Sequence, residues 1–265
     1  MLLVWRDFPD EKGTEKEHQN RERYYHPGET FSFGMTLIGR AIDYLPYFLV
    51  TFRELGNIGI GRGRGRYRLS TVEAIPAENH NSSEDELNAG HLVYSLEDEL
   101  VRNVNATITF EDAMTRSQTL PTDRVEIDFL TPTRLKDEGN LRQEPTFRIL
   151  IQRLLERLSS LAYFHCGEDL DMDFKELLNR AEGVQIEKAD LHWVDWERYS
   201  RRQEARMKLG GVVGRIICRG DVGGFLPLLW MGQYFHVGKG TTFGLGQYQI
   251  VEEYVVNSSS ATRNS

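Results

Sequence analysis

Two cysteines in 265 residues, Cys166 and Cys218, with no Cys-x-x-Cys spacing, leave neither a zinc ribbon nor a disulfide framework to hold this chain together. No apolar run approaches the roughly 18 residues that cross a bilayer. The opening MLLVWRDFPDEKG lacks the charged lead-in and apolar stretch of a signal peptide. No membrane contact and a cytoplasmic location are therefore expected. Without a secretory signal, the Asn-x-Ser/Thr matches at Asn81, Asn105 and Asn257 carry no weight. A surface that is basic all over is excluded as well, because the net charge is −8. What remains is a composition of 40% apolar and 27% charged residues, that of a globular protein able to bury a core in one or two domains.

Charge is segregated along the chain. Acids cluster at 84–86 (EDE), 97–99 (EDE) and 168–173 (EDLDMD); bases cluster at 62–68 (RGRGRYR) and 198–208 (RYSRRQEARMK). A local basic site is therefore compatible with an acidic total.

The chain also repeats itself. LPYFLVTFRELGNIGIGRGRGRYRL (45–69) lies without gaps on LPLLWMGQYFHVGKGTTFGLGQYQI (226–250), a shift of 181 residues. Leu45/Leu226, Pro46/Pro227, Gly59/Gly240, Gly63/Gly244, Gly65/Gly246 and Tyr67/Tyr248 coincide. Three shared glycines in one frame point to special backbone geometry rather than chance. Each copy reads as a helix, a glycine-rich loop and a strand.

The second copy extends backwards. RVEIDFLTPTRLK (124–136) alternates like a half-buried strand, and Pro145 opens a helix whose Phe147, Leu150, Ile151, Leu154, Leu155, Leu158 and Leu161 share one face. A short helix near 173–182 and strand-like runs at 184–200 and 208–221 follow. With the Leu-Pro helix and a last strand the order is βαββαβ, a ferredoxin-like unit. The first copy supplies only the later half of such a unit, with strand-like runs at 27–39 and from 63 onward, and residues 1–25 are not expected to supply the rest. The chain then divides into a charged segment (1–25), a partial ferredoxin-like domain (26–76), a linker and connecting segment (77–123), a complete ferredoxin-like domain (124–255) and a disordered tail (256–265). The fold class is α+β.

With the Leu-Pro helix, HVGKGTTFGLGQY and a final strand, preceded by DFLTPTRL and a long amphipathic helix, the chain resembles the CRISPR-associated repeat-RNA endoribonucleases of the RAMP superfamily. The likeness spans roughly 25–75 and 124–255. It implies ferredoxin-like domains that bind CRISPR repeat RNA, no cofactor, and metal-independent cleavage in which a ribose 2′-hydroxyl attacks the adjacent phosphate and leaves a cyclic phosphate. The family's catalytic histidine lies in the first half of the first domain, the half that this reading does not find. Cleavage is thus expected if that half is present. A non-catalytic subunit holding RNA beside other CRISPR-associated proteins is the alternative, and an interaction domain that binds no nucleic acid is a third reading.

The candidate residues follow from charge and backbone chemistry. Gly238, Lys239, Gly240, Gly244 and Gly246 could form a nest of amide groups with one cation, suited to phosphate, or simply a helix cap and a bulged strand start. The Gly-Lys here is followed by glycine and leads into a strand, which rejects a Walker-type site. In a strand, Arg62, Arg64, Arg66 and Arg68 would share one face and repel one another unless anions such as phosphates, or the chain's own acid clusters, lie opposite, with Tyr67 behind them. Arg201 and Arg202 lie in a basic connection suited to tracking a nucleic acid; Arg134 and Lys136 close the first strand of the second domain. For proton transfer near neutral pH histidine is the first choice. His236, beside the glycine loop, and His26, before the Pro27–Gly28 turn, are the candidates, while His165 and His192 are expected in core elements. Asp169, Asp171 and Asp173 begin like a calcium loop, but Phe174 and Arg180 stand where glycine and glutamate belong, so no metal is expected.

Overall fold

A computed structural model describes residues 2–4, 25–61, 63–75, 91–195, 197–200 and 205–251. In chain order the elements are β1 (Leu2–Val4), β2 (Gly34–Thr36), α1 (Leu45–Ile58), β3 (Thr71–Ala74), β4 (His91–Ser95), α2 (Phe110–Ser117), β5 (Arg124–Thr133), β6 (Lys136–Asp137), β7 (Asn140–Leu141), α3 (Phe147–Leu161), α4 (Phe174–Ala181), β8 (Gln185–Val194), β9 (Glu197–Ser200), β10 (Ala205–Lys208), β11 (Gly211–Arg219), α5 (Leu226–Phe235) and β12 (Tyr248–Ile250).

The second half closes around an antiparallel sheet of order β12-β5-β11-β8, with α3 and α5 as its crossover helices. This is the expected ferredoxin-like topology. The period-3.6 stripe of α3 buries Phe147, Leu150, Ile151, Leu154 and Leu155. Thr146 caps that helix by accepting from the Ile149 amide. Every residue of α5 except Met231 is buried, because the sheet covers one side and α2 and α3 the others. Arg157 on α3 donates to the Phe235 carbonyl at 2.6 Å, which satisfies a carbonyl at the end of α5.

The first half is smaller. Leu49, Val93 and Tyr94 form its core, ringed by Leu45, Leu69, Val72, Ala74 and Val104. Its strands form two-stranded pairs, β1 with β2 and β3 with β4.

Three expectations change here. Residues 1–25 do supply a strand, since Leu2–Val4 pairs with Gly34–Thr36; three residues are too few to show periodicity. The 27–39 run is a strand only over 34–36. The 77–123 segment, read as a linker and connecting segment, holds β4 and α2, the latter opened by a reciprocal Thr109–Asp112 capping box. Residues 77–90 and the tail at 256–265 fall outside the described residues.

Candidate nucleic-acid interface

The repeat is real at the level of hydrogen bonds, and it is offset from its ungapped alignment. In the first copy the Tyr67 hydroxyl donates to the Phe52 carbonyl at 2.8 Å; in the second the Tyr248 hydroxyl donates to the Leu229 carbonyl at 2.7 Å. Ile60 N donates to Gly65 O, and Val237 N to Gly246 O, both at 2.9 Å. Each helix ends on a residue with positive φ whose amide bonds four residues back: Gly59 (φ 88, ψ 151) and His236 (φ 61, ψ 170). His236 therefore corresponds to Gly59, not to Leu55. The first helix is 14 residues long and the second 10, so four residues that belong to the helix in one copy belong to the loop in the other.

The shorter turn corrects the strand expected at 61–68. Gly61, Gly63 and Arg64 lie in turns, with Arg64 itself at φ 49, and β3 starts only at Thr71. From Arg66 onward the alternation holds without a partner strand among the described residues: Arg66 and Arg68 are exposed, while Tyr67 and Leu69 pack inward. Tyr67 lies edge-on to Phe31, which lies near Tyr25, with ring centroids at 5.5 Å and 5.3 Å. Burial raises its phenol pKa above the ordinary value. It is a packing residue. His26, next to Tyr25 in the chain, is exposed. Arg62 lies outside the described residues.

The second loop folds upon itself. Gly238, Gly240, Gly244 and Gly246 all have positive φ. At Gly246 a Cβ would run into the Val237 carbonyl, so only glycine lets the loop close. The amides of Phe243, Gly244 and Leu245 donate to carbonyls within the loop, and those of Lys239 and Gly246 to Arg134 and Pro132. These five amides are bonded to protein carbonyls and so are not open to an anion. Thr131 pins the loop from β5: its hydroxyl donates to Gly244 O and accepts from Gln247 N, both at 2.9 Å. His236 is buried at 1% exposure, with Nδ1 3.1 Å from Leu245 O. It braces the loop.

What the loop presents outward is cationic. Lys239 is exposed, and its amide donates to Arg134 O at 3.1 Å. Arg134 in turn donates from Nη1 to Lys208 O at 2.6 Å, at the base of the β9–β10 hairpin. Arg134, Lys208 and Lys239, with Lys136 two residues along, thus gather where the loop, the end of β5 and the hairpin meet. Lys208 was visible in the sequence only as the last residue of a basic run. The expected basic connection is that hairpin, although Arg201 and Arg202 lie outside the described residues.

The outer face of the sheet is different. Arg215 bridges Glu126 at 3.0 Å and Asp128 at 3.2 Å, Arg124 holds Glu126 at 3.0 Å, and Arg219 holds Glu187 at 3.1 Å. These three arginines already have carboxylate partners, so they offer phosphate little. His165 and His192 are exposed rather than in the core, the first after the end of α3 and the second on β8. Asp173 caps α4 by accepting from Glu176 N at 2.9 Å.

Sheet order and crossover helices together define a ferredoxin-like domain. The family model described as "CRISPR-associated endoribonuclease Cas6" matches residues 127–248. A second family model, described as an N-terminal domain, matches residues 14–106. No curated protein matches. Among solved structures, Thermus thermophilus Cas6 is similar at 15% identity and a TM-score of 0.43, covering 54% of this chain and 58% of its own. A product complex of the same Cas6 gives 16% identity and a TM-score of 0.50, covering 78% and 71%. A Cas6-related protein from Pyrococcus furiosus gives 15% and 0.31, covering 58% and 55%. In the first and third of these comparisons, less than two thirds of the solved protein's length is spanned.

Proposed function

We propose that this chain binds CRISPR repeat RNA along the cationic edge formed by Arg134, Lys136, Lys208 and Lys239, and that it cleaves that RNA without a metal. The observation that carries the reading is the hydrogen-bonded convergence of Lys239, Arg134 and Lys208 inside the segment that matches the Cas6 family. Four cations at one edge of an otherwise acidic protein suit a polyanion, and each phosphate they neutralise releases counterions. Arg66 and Arg68 extend the same chemistry to the first half.

In such cleavage a general base takes the proton of a ribose 2′-hydroxyl, the oxygen attacks the adjacent phosphorus, and the 5′-oxygen leaves with a proton from a general acid. A cyclic phosphate and a 5′-hydroxyl result. His26 is exposed and is the candidate for the first role; His236, 1% exposed and bonded to the loop, suits it less.

Labelled repeat RNA incubated with the protein in EDTA tests this reading. A shortened product with a cyclic-phosphate end is expected, slowed by about 10²–10⁴-fold in His26→Ala. Undiminished cleavage would remove His26 from the mechanism. Binding without any cleavage would leave the chain as a holder of RNA, and absence of binding would overturn the proposal.

A further inference from the structure

Half-buried arginines in this chain mostly hold a carboxylate. Arg102 pairs with Asp98, Arg124 with Glu126 at 3.0 Å, Arg148 with Glu182 at 2.9 Å and Arg153 with Glu156 at 2.7 Å. Arg157, half-buried on α3, has no carboxylate partner among the described residues. Burial lowers its pKa from the ordinary value, and no neighbouring acid opposes that shift. Arg215 shows the contrast, since Asp128 and then Glu126 raise its pKa. A partly desolvated cation without a counterion is costly unless something outside the chain supplies the charge.

The protein bond that Arg157 makes comes from Nε, which donates to the Phe235 carbonyl at 2.6 Å, where α5 gives way to the glycine loop. A helix cap needs no more than that one N–H. Nη1 and Nη2 have no protein partner among the described residues, and neither is sealed from solvent. A guanidinium fixed through Nε and open at both Nη groups has the fork that fits the paired oxygens of a phosphate. Arg134 repeats the arrangement on the other side of the loop. It too is half-buried, donates to a backbone carbonyl and has no carboxylate partner among the described residues, and its own carbonyl receives the Lys239 amide. With 40 acidic residues against 32 lysines and arginines, the chain does not lack acids to place beside these two arginines. Both nevertheless keep their charge unneutralised while they hold the glycine loop, one at its start and one at Lys239.

We propose that Arg157 is a further phosphate contact: with Nε held on Phe235, its Nη1 and Nη2 groups grip a phosphodiester of the RNA where it passes the start of the glycine loop. This rests on the RNA-binding reading above and extends the cationic edge from β5 and the hairpin to α3.

Two measurements test it. Across a salt series, Arg157→Gln should flatten the slope of log affinity for CRISPR repeat RNA against log salt by about 1, whereas Arg157→Lys, which keeps the charge, should retain the parent slope. A residue that only caps α5 would lower the thermal midpoint in both variants and leave both slopes alone. The second measurement needs no variant. Phenylglyoxal, which attacks the Nη groups of arginine, should modify Arg157 in the free protein, and that reactivity should be lost when repeat RNA saturates the chain, as followed by peptide mass spectrometry. An unchanged slope in a folded Arg157→Gln, a slope flattened equally by both variants, or undiminished modification under saturating RNA would overturn the proposal and leave RNA binding standing. A parent chain that binds no repeat RNA would overturn both.

Discussion

Tyr67 and Tyr248 each close a glycine turn by donating a hydroxyl back into the preceding helix, and the difference in their burial sets what each is worth. Tyr248 is 1% exposed and its partner carbonyl is also within the core, so Tyr248→Phe should cost about 1–3 kcal/mol in urea unfolding. Tyr67→Phe should cost less, because water reaches the half-exposed carbonyl. Burial also raises the Tyr248 pKa well above 10.0. The unfolded phenol ionises near that value and the folded one only higher. The stabilisation is therefore intact below about pH 10 and is lost as pH climbs further, which an alkaline unfolding titration of Tyr248→Phe against the parent chain would reveal as a shallower decline. The two thiols should separate in the same way. Cys166 is exposed, whereas burial pushes Cys218 up to about 12. One thiol per chain should react promptly with a disulfide reagent at pH 8, and the second only in denaturant. Two equivalents in the folded state would contradict this packing.

At the scale of elements, the sequence announced whatever was long and periodic. The stripe of α3, the Leu-Pro start of α5 and the alternation of β5 were all readable, and they fix the sheet order. β1 escaped and β2 was read too long, because each strand is three residues long and held through the other. α2 was encoded: Thr109 and Asp112 have capping-box spacing, but the helix is only eight residues long and its packing on α5 is tertiary. Thr109→Ala should therefore lower stability by about 1 kcal/mol, seen as a lower thermal midpoint. The site was half legible. Its glycines and lysine were evident, yet an ungapped alignment cannot show that the first helix takes a turn of four residues from its loop. That slip disguised His236 as a loop histidine available for chemistry, when it is a buried cap. It also made the arginine run look like a strand. Lys208 joins Arg134 and Lys239 only after the chain has folded, 74 residues from the first, and no local pattern marks that meeting.

For the whole molecule, a net charge of −8 and a local cationic edge predict binding that is strongly salt-dependent and confined to one side. The carboxylate-paired outer sheet face should take no part, so Arg215→Ala should leave the salt slope of RNA binding unchanged. The most direct test of the account is the affinity for CRISPR repeat RNA across a salt series, for the parent chain and for Arg134→Ala/Lys208→Ala/Lys239→Ala. If these three residues touch phosphate, the slope of log affinity against log salt should flatten by about 2 in the triple variant, with weaker binding at every salt concentration. An equal slope in both proteins would show that the loop edge is not where the RNA lies.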